Sequence, residues 1–271
     1  MFTFAMHSTF IKPVFAVSGA LLAAPLFAAD YPVQPVPFTD VSFTSGLWHD
    51  RQETNVKVTL PFALGQLESA NRLKNFDLAA ETMQRRAAGE TGFQNRPPTQ
   101  YTFDDSDVYK VLEGAAFCLS VQPDPELQKK LEAIIERVAA AQEPDGYLFT
   151  WRTMHPDSPV HDWIGQERWE KAPQLSHEFY NLGHLYEAGT AYEQATKSKS
   201  LMDICLKSAE LLHDDFGDGK DVTVPGHQVV EMGLAKLYRR TGDQRWLDLA
   251  KYFLDARQGK GGEYSQDHQP V

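Results

Sequence analysis

Apolar side chains recur every three or four positions along most of the chain, the spacing that places them on one face of an α-helix. Asp124 followed by Pro125 predicts the start of one helix, and the turn sequence Pro144-Asp-Gly-Tyr147 predicts its end. The stripe between them comprises Leu127, Leu131, Ile134, Ile135, Val138 and Ala141. Similar stripes predict helices over residues 106–121, 176–195, 200–213, 226–240 and 243–256, with a seventh over 53–71.

A weak internal repeat links two of the helix junctions. Thr196 with Leu201-Met-Asp-Ile204 matches Thr241 with Trp246-Leu-Asp-Leu249 at an offset of 45 residues. In both places a long helix ends at a polar turn and the next begins within a few residues, which makes the two helices antiparallel neighbours. The pattern predicts an all-α fold of repeated helix pairs. An open superhelix and a closed double ring both satisfy it.

Residues 1–29 have the composition of a secretory signal peptide. Lys12 is their only strongly charged side chain, Val14–Leu26 is almost wholly apolar, and small residues follow at Ala28 and Ala29. We predict cleavage near these alanines and export to the periplasm or the extracellular space. A membrane anchor and a misassigned start codon are the alternatives.

Beyond the signal peptide, residues 30–52 predict an extended, proline-rich N-terminal arm, and residues 53–271 the helical domain. Val41–Trp48 predicts either a short strand or an ordered part of the arm. No later stretch approaches the roughly 20 apolar residues that span a bilayer, so no membrane partner is expected after signal cleavage.

Charge and cysteine content narrow the function further. Lys and Arg number 26 against 37 Asp and Glu, a formal net charge of −11, which argues against nucleic acid and anionic membranes as partners. Cys118 and Cys205 both lie in apolar helical stretches, which predicts buried free thiols, with a disulfide as the alternative. Their spacing provides no closed zinc site.

Polar side chains able to bind a sugar share faces of two predicted helices. His177, Tyr180, Asn181 and His184 follow the i, i+3, i+4, i+7 pattern, and His227 lies one turn before Glu231. Imidazoles, amides and carboxylates exchange hydrogen bonds with hydroxyl groups, and aromatic rings cover the apolar side of a sugar. The pattern predicts the lining of a polar cavity. The alternative is that each histidine is a satisfied core residue.

Two further segments carry the same ambiguity. Asp104, Asp105 and Asp107 cluster at the start of a predicted helix, where carboxylates complement the helix dipole. Either capping explains them, or Asp107 or Asp105 orients a ligand or a neighbouring side chain from the cavity rim. Trp163 and Trp169 either stack on sugar or cover a helix end.

Several strings, in this order, resemble the glycoside hydrolase family 127 β-L-arabinofuranosidases. They are Phe103-Asp-Asp-Ser-Asp-Val-Tyr-Lys110, Ala141-Gln-Glu-Pro-Asp-Gly-Tyr147, Ser176-His-Glu-Phe-Tyr180 with Gly183-His-Leu185, and Pro225-Gly-His-Gln228. The resemblance runs from about Val41 to Val271. It implies an (α/α)6 barrel, incomplete in this chain, followed by β-sandwich domains. The implied activity is removal of L-arabinofuranose from the non-reducing ends of plant-type glycans, so the expected partner is an oligosaccharide or glycan.

The resemblance also implies part of a sugar pocket in this chain. His177 and His227 are the residues expected to hydrogen-bond arabinose hydroxyls, and Asn71 or Arg72 is expected to add another contact. The family's pocket can carry glutamine near this last position, so arginine here is a departure. His184 and Asp107 are further substrate-binding candidates.

The catalytic group implied by the resemblance is a cysteine thiolate held on zinc by further cysteines and a glutamate, with a second glutamate as acid/base and a retaining outcome. By the family pattern these residues lie beyond Val271, and Cys118 and Cys205 match none of them. We therefore expect zinc in the full-length protein, none bound by these residues, and an inactive and poorly stable fragment with uncovered apolar helix edges.

Two other functions fit the residues. A helical-ring glycosidase of another family, such as an unsaturated glucuronyl hydrolase, would use carboxylates already present, for example Asp107 with an acid across the cavity. A protein of another class, a non-catalytic carbohydrate-binding or scaffold protein, would use the same polar faces without turnover.

Overall fold

The computed structural model describes residues 35–92, 95–217, 219–220 and 223–258, and within these ranges the regular structure is helical. The α-helices are α1 (Leu47–Thr54), α2 (Leu60–Ser69), α3 (Arg72–Ala87), α4 (Asp105–Val121), α5 (Pro125–Ala141), α6 (Thr150–Met154), α7 (Glu178–Thr196), α8 (Ser200–Asp215), α9 (Val229–Thr241) and α10 (Gln244–Gln258). A π-helical stretch, Asn55–Thr59, joins α1 to α2. The described residues contain no helix that is both long enough and apolar enough to span a bilayer.

The predicted helix pairs are confirmed. Turns of only a few residues connect α4 to α5, α7 to α8 and α9 to α10, and both members of the internal repeat fall at such turns. Asp124 accepts hydrogen bonds from the backbone N–H groups of Glu126 (2.9 Å) and Leu127 (3.1 Å), so it is the predicted cap of α5.

Helices α4, α7 and α9 lie side by side and run in the same direction, with the second helix of each pair packed behind them. Lys110 of α4 contacts Tyr180 near the start of α7, and Gly183 of α7 lies against the first turn of α9. A Cβ atom on Gly183 would lie 2.6 Å from the backbone of Val230, and one on Gly233 would lie 2.8 Å from the carbonyl oxygen of Gly183. Glycine at both positions lets α7 and α9 approach closely.

Helix α3 was not predicted from the sequence. Its buried face consists largely of Leu73, Phe76, Ala79 and Ala80, and small alanines weaken the apolar stripe. It also follows α2 after only two residues, so no polar linker announces it. Helix α3 packs against α5 and α6, and the start of α3 lies beside the start of α4. With α2 and α3 added, the described residues provide four helix pairs, the arrangement of an (α/α) barrel.

The N-terminal arm is shorter than predicted. Helix α1 begins at Leu47, and the strand considered for Val41–Trp48 is not formed. The predicted signal peptide lies outside the described residues. Several large apolar side chains on the helices are exposed, including Trp48 (65%), Phe62 (67%) and Met232 (55%).

Candidate functional site

The polar candidates meet because α4, α7 and α9 place their N-terminal ends together. Asn181 in the first turn of α7 donates a hydrogen bond to the carbonyl oxygen of Thr102, which precedes α4 (3.1 Å). His177 immediately precedes α7 and His227 precedes α9, and their ring centroids are 5.2 Å apart. The sequence predicted these two side chains as sugar ligands, and the fold brings them into contact.

In the Ser176-His-Glu178 motif, Ser176 and Glu178 hydrogen-bond inside the protein, whereas the His177 ring lies at the site. Glu178 is buried and accepts hydrogen bonds from Ser176 Oγ (2.6 Å), Tyr147 Oη (2.6 Å) and the N–H of Trp169 (3.0 Å). Burial raises the pKa of Glu178, although these hydrogen bonds act in the opposite direction. His177 has φ 63°, in the left-handed region, and this turn carries its ring away from the anchor. Sequence reasoning noticed the histidine and missed the anchoring role of the glutamate.

Tyr180 joins three imidazoles into one cluster, which we call the histidine cluster: His177, Tyr180, His184 and His227. The centroid of the Tyr180 ring lies 5.7 Å from that of His177, 4.6 Å from that of His184 and 5.2 Å from that of His227. Lys110 donates a hydrogen bond to Tyr180 Oη (2.8 Å). The tyrosine is therefore fixed at the centre, and the histidines surround it.

All three imidazoles are kept neutral near pH 7. Burial lowers the pKa of each. The charge of Lys110 lowers the pKa of His177 further, against a hydrogen bond to the carbonyl oxygen of Leu175 that raises it, and the charge of Arg257 lowers the pKa of His227. For His184, burial and the charge of Lys110 lower the pKa to about 4. In His177, Nδ1 donates to the carbonyl oxygen of Leu175, so the neutral ring leaves Nε2 as an acceptor for a sugar hydroxyl group.

Arg72 and Asp107 are brought together, but they bind each other. Arg72 Nε donates to Asp107 Oδ2 (2.8 Å) and Nη1 donates to Asp104 Oδ2 (3.1 Å). Asp107 lies one turn before Lys110, so this ion pair borders the histidine cluster. Asn71 is exposed and adopts φ 59° at the start of α3. The described contacts do not join the Asn71 side chain to the cluster.

The two carboxylates proposed to orient a ligand differ in exposure. The Asp107 side chain is 40% exposed, whereas Asp105 is fully buried. Asp105 accepts hydrogen bonds from the N–H (2.9 Å) and Oγ1 (2.7 Å) of Thr150, which begins α6. Burial raises the pKa of Asp105 to about 6. Asp105 therefore fixes α6 to α4 inside the protein, and only Asp107 remains a candidate at the rim.

The two tryptophans also separate. Trp169 is buried, stacks on Phe179 with a centroid distance of 5.1 Å, and donates its ring N–H to Asp215 at the end of α8 (2.8 Å). Trp163 is only partly buried, and its ring centroid lies 6.0 Å from that of His177. Trp169 covers a helix end, and Trp163 belongs to the site.

Two charge networks that sequence reasoning missed support the site, and the first of them is buried. Arg257 of α10 donates to Glu231 Oε1 (2.7 Å) and to the carbonyl oxygen of His227 (3.3 Å), so it holds the turn that carries this histidine. Deeper along the helices, Lys236 of α9 contacts Glu187 of α7 (2.6 Å) and Glu113 of α4 (3.6 Å). These contacts link residues far apart in sequence, and no local pattern marks them.

The cysteines are structural. Both are buried and free, which confirms the predicted buried thiols. Cys118 accepts a hydrogen bond from Asn55 (3.3 Å), Cys205 donates one to the carbonyl oxygen of Leu185 (3.2 Å), and burial raises the pKa of both thiols. Within the part of the chain that the structure describes, no group of three or more His, Cys, Asp or Glu side chains is arranged to hold a metal ion. The described residues therefore do not provide the zinc site that the resemblance implies.

Paired helices with neutral imidazoles, aromatic rings and a bordering ion pair at one end define a helical barrel with a polar, carbohydrate-type site. Comparison with known proteins gives the family. Residues 40–271 match the model of the "Beta-L-arabinofuranosidase, GH127 catalytic domain". The chain belongs to this family, and its fold is the (α/α) barrel of these enzymes.

Individual relatives agree with this assignment. The chain is 35% identical over 236 residues to a non-reducing end β-L-arabinofuranosidase of Bifidobacterium longum subsp. longum, covering 80% of this chain and 34% of the relative. The structure of a GH127 β-arabinofuranosidase superposes with a TM-score of 0.79 at 44% identity, covering 89% of this chain and 37% of the other. A GH127 β-L-arabinofuranosidase from Geobacillus stearothermophilus gives a TM-score of 0.70 at 32% identity, with coverage of 84% and 34%. The chain thus spans about a third of the length of these relatives.

Proposed function

We propose that this chain provides the sugar-recognition side of a β-L-arabinofuranosidase active site, in which His177 and His227 hydrogen-bond the hydroxyl groups of a terminal L-arabinofuranose. The observation that carries the proposal is the contact of the two neutral imidazoles, 5.2 Å apart between centroids, at the joined ends of α7 and α9. Tyr180 and His184 extend the same polar surface. The Arg72–Asp107 pair provides further donors and acceptors beside it. Family membership and the named activities of the relatives support the choice of sugar.

The catalytic chemistry is a separate proposal. We propose that the zinc-bound cysteine nucleophile and the acid/base glutamate of a retaining mechanism come from residues outside the described part of the chain. Cys118 and Cys205 are poor candidates because burial raises their thiol pKa, whereas a nucleophilic cysteine needs its thiolate form. The family match argues against a different helical-ring glycosidase, and the Arg72–Asp107 pair leaves Asp107 engaged rather than free for acid/base work. Export to the periplasm or the extracellular space, as predicted from residues 1–29, would give the protein access to plant-type glycans.

A binding experiment tests the recognition proposal without requiring turnover. Isothermal titration calorimetry with methyl β-L-arabinofuranoside is compared for the wild-type protein, His177→Ala and His227→Ala. Each substitution removes hydrogen bonds to the sugar and leaves hydroxyl groups without partners, so we expect about tenfold weaker binding for each. His49→Ala is the control. His49 lies on α1, and the residue that follows α1, Asn55, contacts Cys118 near the end of α4, whereas the histidine cluster lies near the start of α4.

Two results would contradict the proposal. One is binding of the arabinofuranoside that neither histidine substitution weakens. The other is failure of the folded wild-type protein to bind the sugar at all. Binding without release of arabinose by the full-length protein would instead favour the non-catalytic carbohydrate-binding alternative.

A further inference from the structure

Three aromatic side chains next to the histidine cluster form a surface that the arabinose-binding proposal does not use. Tyr101 and Phe103 lie in the segment before α4, and Trp163 lies in the segment before α7. The ring centroids are 5.0 Å apart for Tyr101 and Phe103, 6.1 Å for Tyr101 and Trp163, and 6.4 Å for Phe103 and Trp163. The ring planes differ by only 6° to 27°. We call these three residues the aromatic platform.

The geometry of the platform is that of a surface rather than a column. In a single stacked column, the outer two centroids would lie about twice as far apart as neighbouring ones. Here the three distances are nearly equal while the planes stay nearly parallel, so the rings are staggered side by side. Tyr101 is 38% exposed, and Phe103 and Trp163 are partly exposed. Part of the aromatic surface therefore faces solvent.

The backbone around the platform is fixed before any ligand arrives. The N–H of Tyr101 donates to Asp104 Oδ2 (3.0 Å), the same oxygen that Arg72 contacts. The N–H of Trp163 donates to His161 Nδ1 (3.1 Å). Because this backbone is already held, binding has less conformational freedom to remove, which favours the segment as a recognition surface.

The platform adjoins the sugar-binding histidines. The Phe103 ring meets His177 edge-on with a centroid distance of 5.0 Å, and the Trp163 ring lies 6.0 Å from His177. Tyr101, the most exposed of the three rings, contacts both of these aromatic neighbours. A ligand whose terminal sugar contacts His177 would therefore have the platform beside it.

We propose that Tyr101, Phe103 and Trp163 form a stacking subsite for the second sugar residue of the glycan, next to the terminal residue held by His177 and His227. This inference rests on the proposed function. The apolar C–H face of a sugar ring lies against aromatic faces, and its hydroxyl groups stay in water at the edge. Stacking of this kind depends little on hydroxyl stereochemistry, so the subsite would accept different second sugars and would determine chain length more than sugar identity.

The test compares a monosaccharide with a disaccharide. Calorimetry measures the affinity of the protein for methyl β-L-arabinofuranoside and for a β-linked disaccharide of L-arabinofuranose. We expect the disaccharide to bind about tenfold more tightly, the effect of one good aromatic contact. Tyr101→Ala and Trp163→Ala should each remove most of this gain. Tyr101→Ala, whose ring contacts Phe103 and Trp163, should also leave monosaccharide affinity nearly unchanged. Tyr101→Phe, which keeps the ring, should retain it.

Controls separate this inference from the function on which it rests. Trp48→Ala removes an exposed aromatic side chain from α1 and should not alter the gain. Far-UV circular dichroism and thermal unfolding verify that each variant is folded. Equal affinities for the two sugars, or a gain that survives both alanine substitutions, would overturn the subsite while leaving arabinose recognition intact. Absence of binding to either sugar would overturn the proposed function and the subsite together.

Discussion

Neutralising Asp105 should make the protein more stable near neutral pH. The carboxyl group is fully buried, its Thr150 partners are 2.7 and 2.9 Å away, and burial raises its pKa from 3.8 to about 6. At about 1.36 kcal/mol per pKa unit, this difference corresponds to about 3 kcal/mol. Because the native state favours the protonated form, the contribution is complete below pH 3.8 and is lost as the pH rises to about 6.

Asp105→Asn is the matching perturbation. Asparagine has nearly the shape of the protonated carboxyl and stays neutral, so the variant keeps a polar partner for Thr150 without a buried charge. We expect the difference in free energy of unfolding, variant minus wild type, to increase by about 3 kcal/mol between about pH 4 and about pH 6.5. The difference between the two proteins matters here, because other carboxylates, such as Asp145, have lowered pKa values that contribute the opposite trend.

Urea unfolding followed by far-UV circular dichroism at several pH values provides the measurement. Asp50→Asn is the control, since the Asp50 side chain is 78% exposed on α1, and its stability curve should run parallel to that of wild type. If the curve of Asp105→Asn also runs parallel to wild type within about 1 kcal/mol, the buried carboxyl does not titrate with folding and the reasoning fails.

Three further predictions follow from packing, burial and the N-terminal sequence. Gly183→Ala should lower the free energy of unfolding by about 1 to 3 kcal/mol, because its Cβ would lie 2.6 Å from the α9 backbone. Gly114→Ala on α4 is the control and should not lower it, because no atom lies within 4 Å of the added Cβ. Equal urea midpoints for the two variants would contradict this prediction. Cys118 and Cys205 should react with an aromatic disulfide reagent only after unfolding, because both thiols are buried with raised pKa values; stoichiometric reaction in native buffer would refute it. The mature protein should begin near Asp30 when it is recovered from an exporting host and examined by N-terminal sequencing, and an intact Met1 would disprove signal cleavage.

Local sequence patterns were sufficient for most helices because each helix carries its own apolar stripe and end signals. The start of α5 was predicted to the residue, since Asp124 and Pro125 mark it, and the helix ends at Ala141, three residues before Pro144 in the predicted turn. Helix α3 was not predicted because the small alanines weaken its apolar stripe and because no polar linker precedes it. The arm boundary differed for a similar reason, as α1 has almost no apolar stripe of its own and none of its residues is buried.

The sequence could predict the histidines as candidate site residues, but it could not predict that His177 and His227 contact each other. His177 and His184 share a helix face, which spacing alone reveals, whereas contact between His177 and His227 depends on how closely α7 and α9 approach. That approach is set by Gly183 and Gly233, whose role appears only when the helices are packed. Spacing also could not show that Arg72 and Asp107 would pair with each other beside the histidine cluster.

By itself, the sequence determined the helical class, the pairing of neighbouring helices, the buried thiols and the identity of the polar candidates, because periodicity and local turns encode these features over short distances. The tertiary structure decided which carboxylate is buried, which tryptophan faces the site, and which charged groups support His227. Those outcomes depend on contacts between helices distant in the chain. Burial and electrostatic partners arise only when such helices pack together.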